Sequence, residues 1–382
     1  MRKAVILAVL VLLGALGLAQ GDKLKACWIY VGPVGDYGWS NAHDQGRKAA
    51  EKALPWLQTQ YVESVAEAQA EAYMDKLVKQ GCKVIFATSF GYMDSVLAAA
   101  KKHPDVIFAH ATGYKRAANV ATYMADFYQL YYLNGLMAGA LSKSGKVGYV
   151  GAFPIPELKR HIDAFALGVR AVNPKAKVLV RWIYEWYKPA AAKEAAEALI
   201  ADGADVLAFT EDSPTIVQVA AKKGLPSFSH YSPMQRFAPD EVVSGQLVHW
   251  EKIYIDFLAK VYAGVYTPKN LQDVDYWWLL PQGAVELGGE YGVPINPKFI
   301  PALKAKVVNS PIFGKLSVYD LVLKELALMR DDELAFDPFQ GPIKDRKGNL
   351  RVPAGLRLSK GQLESMEWAA PGVVGPWPNE PK

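Results

Sequence analysis

The sequence predicts an α/β fold: two doubly wound, parallel-sheet lobes joined by a hinge. Three observations carry that expectation. Short apolar runs alternate with helical patterns along most of the chain, the signature of strands joined by crossover helices. The alternation occurs twice, over residues 24–124 and again over 145–231, each set opening with strand, loop and long helix. Helical patterns close on Gln80-Gly81, Ser144-Gly145, Asp202-Gly203 and Lys223-Gly224, the helix-ending glycine signal.

The N-terminus begins with the basic residues Arg2 and Lys3, followed by an apolar run from Ala4 to Leu18. A membrane-spanning helix needs nearer to about 20 apolar residues, so the run reads as an export signal, cleaved after Ala19. No cysteine follows the apolar run directly, so no lipid anchor is expected there.

Predicted strands follow at Ala26–Val31, Gln60–Val65, Lys83–Thr88, Val106–Ala111 and Val120–Met124, then Lys146–Gly151, Lys177–Ile183, Val206–Thr210, Pro226–His230 and Val242–Val248. Helical patterns at 66–80, 92–102, 128–142, 157–172, 190–202 and 214–223 separate them. Such alternation implies parallel sheets covered on both faces. A helix at 251–264 should return to the first lobe after the strand 242–248. Two similar lobes joined by crossovers make a clam-shell. The expected division is 1–19 as signal, 20–125 with about 249–275 as lobe 1, 126–248 with about 276–330 as lobe 2, and 331–382 as a C-terminal extension packed on a lobe rather than carrying chemistry. Within that extension Lys347-Gly348-Asn349 reads as a hairpin turn.

The chain has 382 residues, 51% of them hydrophobic, enough for two sizeable cores. Its formal net charge is +5, of which Arg2 and Lys3 supply two, and its basic residues are scattered, which argues against nucleic acid. Cys27 and Cys82, the only cysteines, fall near the starts of two neighbouring strands. Parallel-strand geometry makes a bridge demanding, so two small buried hydrophobes are the expectation.

The loop Gly32–Trp39, TSFGYMDS at 88–95, HATGYK at 110–115, FPIPELKRHIDAFALG at 153–168, Trp186–Pro189, Thr210–Pro214 and FQGPIKDRKGNLRVPAG at 339–355 occur together and in order. Together they resemble the BMP (basic membrane protein) family of substrate-binding proteins for ABC importers, most nearly its purine-binding branch with a type I periplasmic-binding fold. The resemblance implies capture of a purine base or purine nucleoside outside the cytoplasm, delivery to an ABC permease in the membrane, no catalysis, no cofactor and a monomer. A purine suits such a cleft physically. Aromatic faces hold the ring at about 1–3 kcal/mol per base, and polar groups read its edge.

Trp39 stands where the resemblance places an aromatic stacker, with Asp36 and Ser40 flanking it. Asp36 reads either as an acceptor for a ring N–H or as a turn cap, and Ser40 either as a ligand contact or as a helix N-cap. Ser89, Phe90 and Gly91 follow the third strand, Phe90 offering a second wall. Asp126 follows the crossover strand, as a ligand contact or a helix cap. In the second lobe the candidates are Trp186, Asp212, Tyr231 and Trp250. One departure from the family stands out: the lysine that holds nucleoside sugars is absent from Trp277-Trp278-Leu279-Leu280-Pro281-Gln282-Gly283. A free base such as adenine is therefore the sharper expectation within the class of purine or nucleoside. The alternatives are a sugar ligand, or a receptor of the same fold that feeds a signalling partner. Enzyme motifs such as HExxH, GxSxG or a Walker loop do not occur, which argues against catalysis.

Overall fold

The computed structural model describes residues 23–332 and 335–381. The expected export signal lies outside these residues. The first set of elements is β1 (Leu24–Ile29), α1 (Trp39–Ala53), β2 (Leu57–Val62), α2 (Ala70–Lys79), β3 (Val84–Ala87), α3 (Met93–Lys102), β4 (Ile107–Ala111) and β5 (Val120–Ala125). The second is α4 (Tyr128–Leu141), β6 (Lys146–Gly151), α5 (Pro156–Val172), β7 (Lys177–Trp182), α6 (Pro189–Ala201), β8 (Val206–Thr210), α7 (Thr215–Lys222), β9 (Ser227–Tyr231) and β10 (Val242–Val248). Then come α8 (Trp250–Tyr262), β11 (Asp275–Trp278), β12 (Val285–Leu287), α9 (Ile300–Ala305), β13 (Val307–Ser310), β14 (Gly314–Ser317), α10 (Val318–Asp331), β15 (Ile343–Lys344), β16 (Leu350–Val352), α11 (Lys360–Glu364) and β17 (Val373–Val374).

One sheet runs β2-β1-β3-β4-β5-β11, parallel throughout; the other runs β17-β7-β6-β8-β9-β10-β12, parallel except for β12. The first five strands of each set take the same order, 2-1-3-4-5, so the repeat seen in the sequence is a repeat of topology. In that order ligands bind beyond the carboxyl ends of the strands. The four predicted helix-ending glycines, Gly81, Gly145, Gly203 and Gly224, all adopt positive φ. Helix α8 returns to the first sheet: a Cβ on Gly46 of α1 would stand 2.6 Å from the Trp250 Cβ, and His43 Nδ1 meets the Tyr254 hydroxyl at 2.5 Å. Strand β2 begins at Leu57, three residues before the expected Gln60, because it pairs from Leu24↔Leu57 onward, and Ser64 (φ 56) turns the chain away.

The chain passes between the lobes three times, after β5, after β10 and after β11. Asp126, at the first crossing, accepts from Arg160 Nε at 2.6 Å and from His161 Nε2 at 2.7 Å, both on α5. His249, at the second, lies 3.0 Å from Glu251 of α8 and 2.8 Å from Glu286 of β12. Hydrogen bonds to these two carboxylates raise its pKa to about 9, so it is charged at neutral pH. The stabilisation is complete below the ordinary histidine range and is lost as pH rises through about 9.

The C-terminal extension is anchored to the second lobe. Fully buried Lys159 of α5 pairs with Glu367 and donates to the Pro378 carbonyl at 2.6 Å, and the Ala370 N–H donates to Asp163 at 2.8 Å. Strand β17 pairs with β7, and the hairpin at Gly348 joins β15 to β16. From this anchorage α11 reaches across to the first sheet, where Lys360 pairs with Asp275.

The expectation for the cysteines is corrected. Cys27 and Cys82 form a disulfide, with Cα atoms 5.9 Å apart. Cys82 lies in the turn before β3, its N–H on the Leu77 carbonyl at 3.2 Å, so the parallel-strand register does not restrict it. The bridge spans 55 residues of sequence, for which the chain-entropy model gives roughly 4 kcal/mol. Thiol reductant should lower the guanidinium unfolding midpoint of the native protein and leave a Cys27→Ala/Cys82→Ala variant unmoved. Two titratable thiols in the unreduced, denatured protein would contradict the bridge.

Candidate functional site

Between the lobes lies a cavity of about 280 Å³ lined by the carboxyl ends of strands from both sheets. The first lobe supplies Val31, Trp39, Thr88, Ser89, Phe90 and Thr112, and the second Glu157, Trp186, Asp212 and Tyr231. The lobes touch around it. A Cβ on Gly38 would stand 2.6 Å from the Asp212 Cα, Ser232 Oγ donates to the Gly38 carbonyl at 3.1 Å, and the Arg236 guanidinium covers the Tyr37 ring at 4.6 Å. This is a closed cleft.

Trp39 is fixed by its surroundings. Its indole N–H donates to the Thr88 carbonyl at 2.5 Å, and Tyr231, Trp250 and His43 pack edge-on to its ring at 5.0, 5.4 and 4.4 Å. Ser89 Oγ donates to Glu67 at 2.7 Å, and Trp186 Nε1 reaches the same carboxylate oxygen from the other lobe at 3.4 Å. Thr112 (φ 62) and Tyr231 (φ 63) each end a strand with left-handed backbone. For a β-branched residue this is a true outlier, and strain of this kind concentrates at ligand sites.

The electrostatics are lopsided: the cavity is lined by two carboxylates and by no lysine or arginine. Glu157, in the first turn of α5, accepts no hydrogen bond from the described residues, and burial pushes its pKa up to about 7, against the pull of Arg160. Asp212 is pushed well above the usual carboxylate range by burial and by the charges of Asp36 and Glu211, and its Oδ2 has no partner among the described residues. Glu211, beside it, is raised chiefly by burial. An acid held near neutrality supplies either a donor or an acceptor.

Trp39, Ser89, Phe90, Trp186, Asp212 and Tyr231 thus come together, while five other candidates stand elsewhere. Asp36 accepts from the N–H groups of Gly38, Ser40 and Asn41 at 2.7, 3.0 and 2.9 Å; it ties down the loop before α1, and burial raises its pKa to about 6. Ser40 accepts from Gly32 N at 3.1 Å. Gly91 leaves room for Glu67, whose carboxylate a Cβ would meet at 2.1 Å. Asp126 is spent on the hinge: burial would raise its pKa, but Arg160 and His161 outweigh that and hold it at about 2. Trp250 is fully buried between α1 and α8, stacked on His43 at 4.2 Å, and backs Trp39 from behind. Sequence reasoning missed Glu157, Thr112 and Glu67. Glu157 had a signal, since Pro156-Glu157 opens a helix directly after a strand and its loop.

Comparison with known proteins follows the same lines. Residues 23–297 match the family model described as ABC transporter substrate-binding protein PnrA-like. A purine-binding protein of Brucella abortus is 37% identical over 354 residues, covering 92% of this chain and 93% of that protein. A Haloferax volcanii protein that bears the name of an ABC transporter glucose-binding protein is 37% identical over 299 residues, covering 78% of this chain and 75% of that protein. Among solved structures, an ABC transporter solute-binding protein of Aeropyrum pernix superposes with a TM-score of 0.67 at 16% identity, over 84% of this chain and 93% of its own. That likeness shows the fold.

Glu157→Gln should separate stability from binding. The rise from 4.5 to about 7 corresponds to roughly 3 kcal/mol of native-state penalty once the group ionises. That penalty is absent below the unfolded pKa, grows as pH rises from about 4.5 to 7, and is complete above. The ligand-free variant should therefore unfold at higher denaturant than the parent at pH 8 and match it at pH 4. Equal midpoints at pH 8 would mean that the Glu157 carboxylate is not desolvated.

Proposed function

Because the chain belongs to the PnrA-like family of ABC transporter substrate-binding proteins, we propose that its cleft captures a purine, as free base or nucleoside, for delivery to a membrane permease. Proteins of this class work outside the cytoplasm and pair a small-molecule ligand with a permease. We further propose export by the N-terminal signal and action as a monomer.

One observation carries the choice of ligand. A small cavity, walled by Trp39, Phe90, Trp186 and Tyr231, holds two carboxyl groups and no cation. A flat aromatic ring fits such walls by stacking. A carboxyl group near its pKa offers an acceptor and a donor side by side, which matches a ring nitrogen next to an amino group. Burial then makes each mismatch costly, so selectivity follows from the unpaired polar group left behind. A sugar is the second reading, favoured by the name of the Haloferax relative. Sugar hydroxyls also donate to carboxylates, but they leave most of the aromatic wall without a stacked partner.

The cycle follows from the contacts between lobes. Opening breaks the Ser232–Gly38 and Trp186–Glu67 bonds and lets water reach Glu157 and Asp212, which eases the penalty on their charges. A bound purine supplies hydrogen-bond donors to these groups in the closed form alone. That differential affinity shifts the population toward closure, the form a permease would recognise.

To test this, the mature protein is unfolded, stripped of any ligand, refolded and titrated calorimetrically with adenine, guanine, adenosine, guanosine, inosine, ribose and glucose. Purines should bind and the two sugars should not. Trp39→Ala, folded by circular dichroism, should weaken purine binding by about tenfold or more. Binding of glucose or ribose with no purine would overturn the reading.

A further inference from the structure

A second chamber opens beside the first. The two share Phe90, Thr112 and Glu157, and Tyr114, Arg160, Trp277 and Glu364 help enclose the second, with a volume of about 320 Å³. Glu364 comes from α11 in the C-terminal extension, beyond residue 297 where the family match ends. Its placement is built. Helix α11 starts with a complete capping box between Ser359 and Gln362, and the chain after it is pinned by buried Lys159 and Asp163. One oxygen of Glu364 takes Lys360 Nζ at 3.0 Å, and Lys360 in turn pairs with Asp275 of the first lobe.

The chemistry of the chamber differs from that of the ring cavity. Glu157, 94% buried and without a hydrogen bond from the described residues, stands at the junction of the two. The buried Thr112 hydroxyl also has no partner among the described residues. With Glu364 these form a set dominated by acceptors, set apart from the stacking walls. A cis-diol donates two hydrogen bonds to a single carboxylate, so a hydroxylated substituent fits here where a bare ring edge needs nothing.

Resting on the purine reading, we propose that this second chamber receives the ribose of a nucleoside, and that Glu364 of the C-terminal extension is the residue that distinguishes nucleoside from free base. The extension is then a third wall of the binding site, and it takes up the role left open by the missing sugar-binding lysine.

Calorimetry of the refolded protein with adenosine and adenine tests this. In the wild type, adenosine should bind at least as tightly as adenine. Glu364→Ala should weaken adenosine by about tenfold or more, the effect of losing hydrogen bonds to a charged group, and leave adenine within about twofold. Glu364→Gln, which keeps one acceptor, should fall between. Lys360→Ala removes the link to Asp275 and should not change the ratio of the two affinities. Wild-type protein that binds adenine but refuses adenosine would overturn the proposal, as would Glu364→Ala weakening both ligands equally or neither. Wild-type protein that binds neither compound removes the purine reading itself, an outcome seen before any variant is made.

Discussion

The unpaired acid at the lobe interface is the constraint on which the rest of the structure depends. Glu157 and Asp212 line the cavity, Glu211 and Asp36 lie close enough to add their charges, and no lysine or arginine lines the space. Burying charge without a partner is costly, and the usual escape is to keep the proton. Burial raises the pKa of all four groups even where backbone N–H groups oppose it, as at Asp36. The closed cleft is therefore held under electrostatic tension that water relieves on opening and a donor-bearing ligand relieves on binding. A binding protein needs this property, because a cleft that closed equally well when empty would give a permease nothing to read.

The hinge is built on the opposite principle. Asp126 is saturated by Arg160, His161 and two backbone N–H groups, and His249 is clasped by one carboxylate from each lobe. Paired charges define the axis, and unpaired ones gate the mouth. The lobes turn as units because each is stiffened internally: the first by the Cys27–Cys82 bridge, the second by close crossing of α4 and α5, where a Cβ on Gly135 would stand 2.2 Å from the Phe165 carbonyl. Lys360 on α11 adds a single cationic contact from the extension to the first lobe.

Much of this was legible in the sequence because the fold places ligands at one kind of position. Strand ends in an α/β sheet are readable from apolar runs, and the residues just beyond them face the cleft. Trp39, Ser89, Trp186 and Tyr231 were found in this way. The same positions also start helices, and there the pattern is ambiguous. Asp36 and Ser40 serve backbone N–H groups of their own loop, which sequence cannot distinguish from service to a ligand. Glu157 escaped for the converse reason: a glutamate in a first helical turn is ordinary, and only burial beside the cavity makes it informative. The disulfide was misjudged because strand ends are uncertain by a residue or two, and that residue moved Cys82 out of the strand. Glu364 lies 207 positions after Glu157 in sequence and shares a chamber with it. Nothing local in either segment records that meeting.

A crystal structure of the refolded protein with adenine at neutral pH tests the central claim most directly. The account predicts closed lobes, with the ring among Trp39, Phe90, Trp186 and Tyr231 and its N–H groups within about 3.2 Å of a Glu157 or Asp212 carboxyl oxygen. A ring bound elsewhere, or closed lobes in which both carboxyl groups are left without a ligand donor, would contradict it.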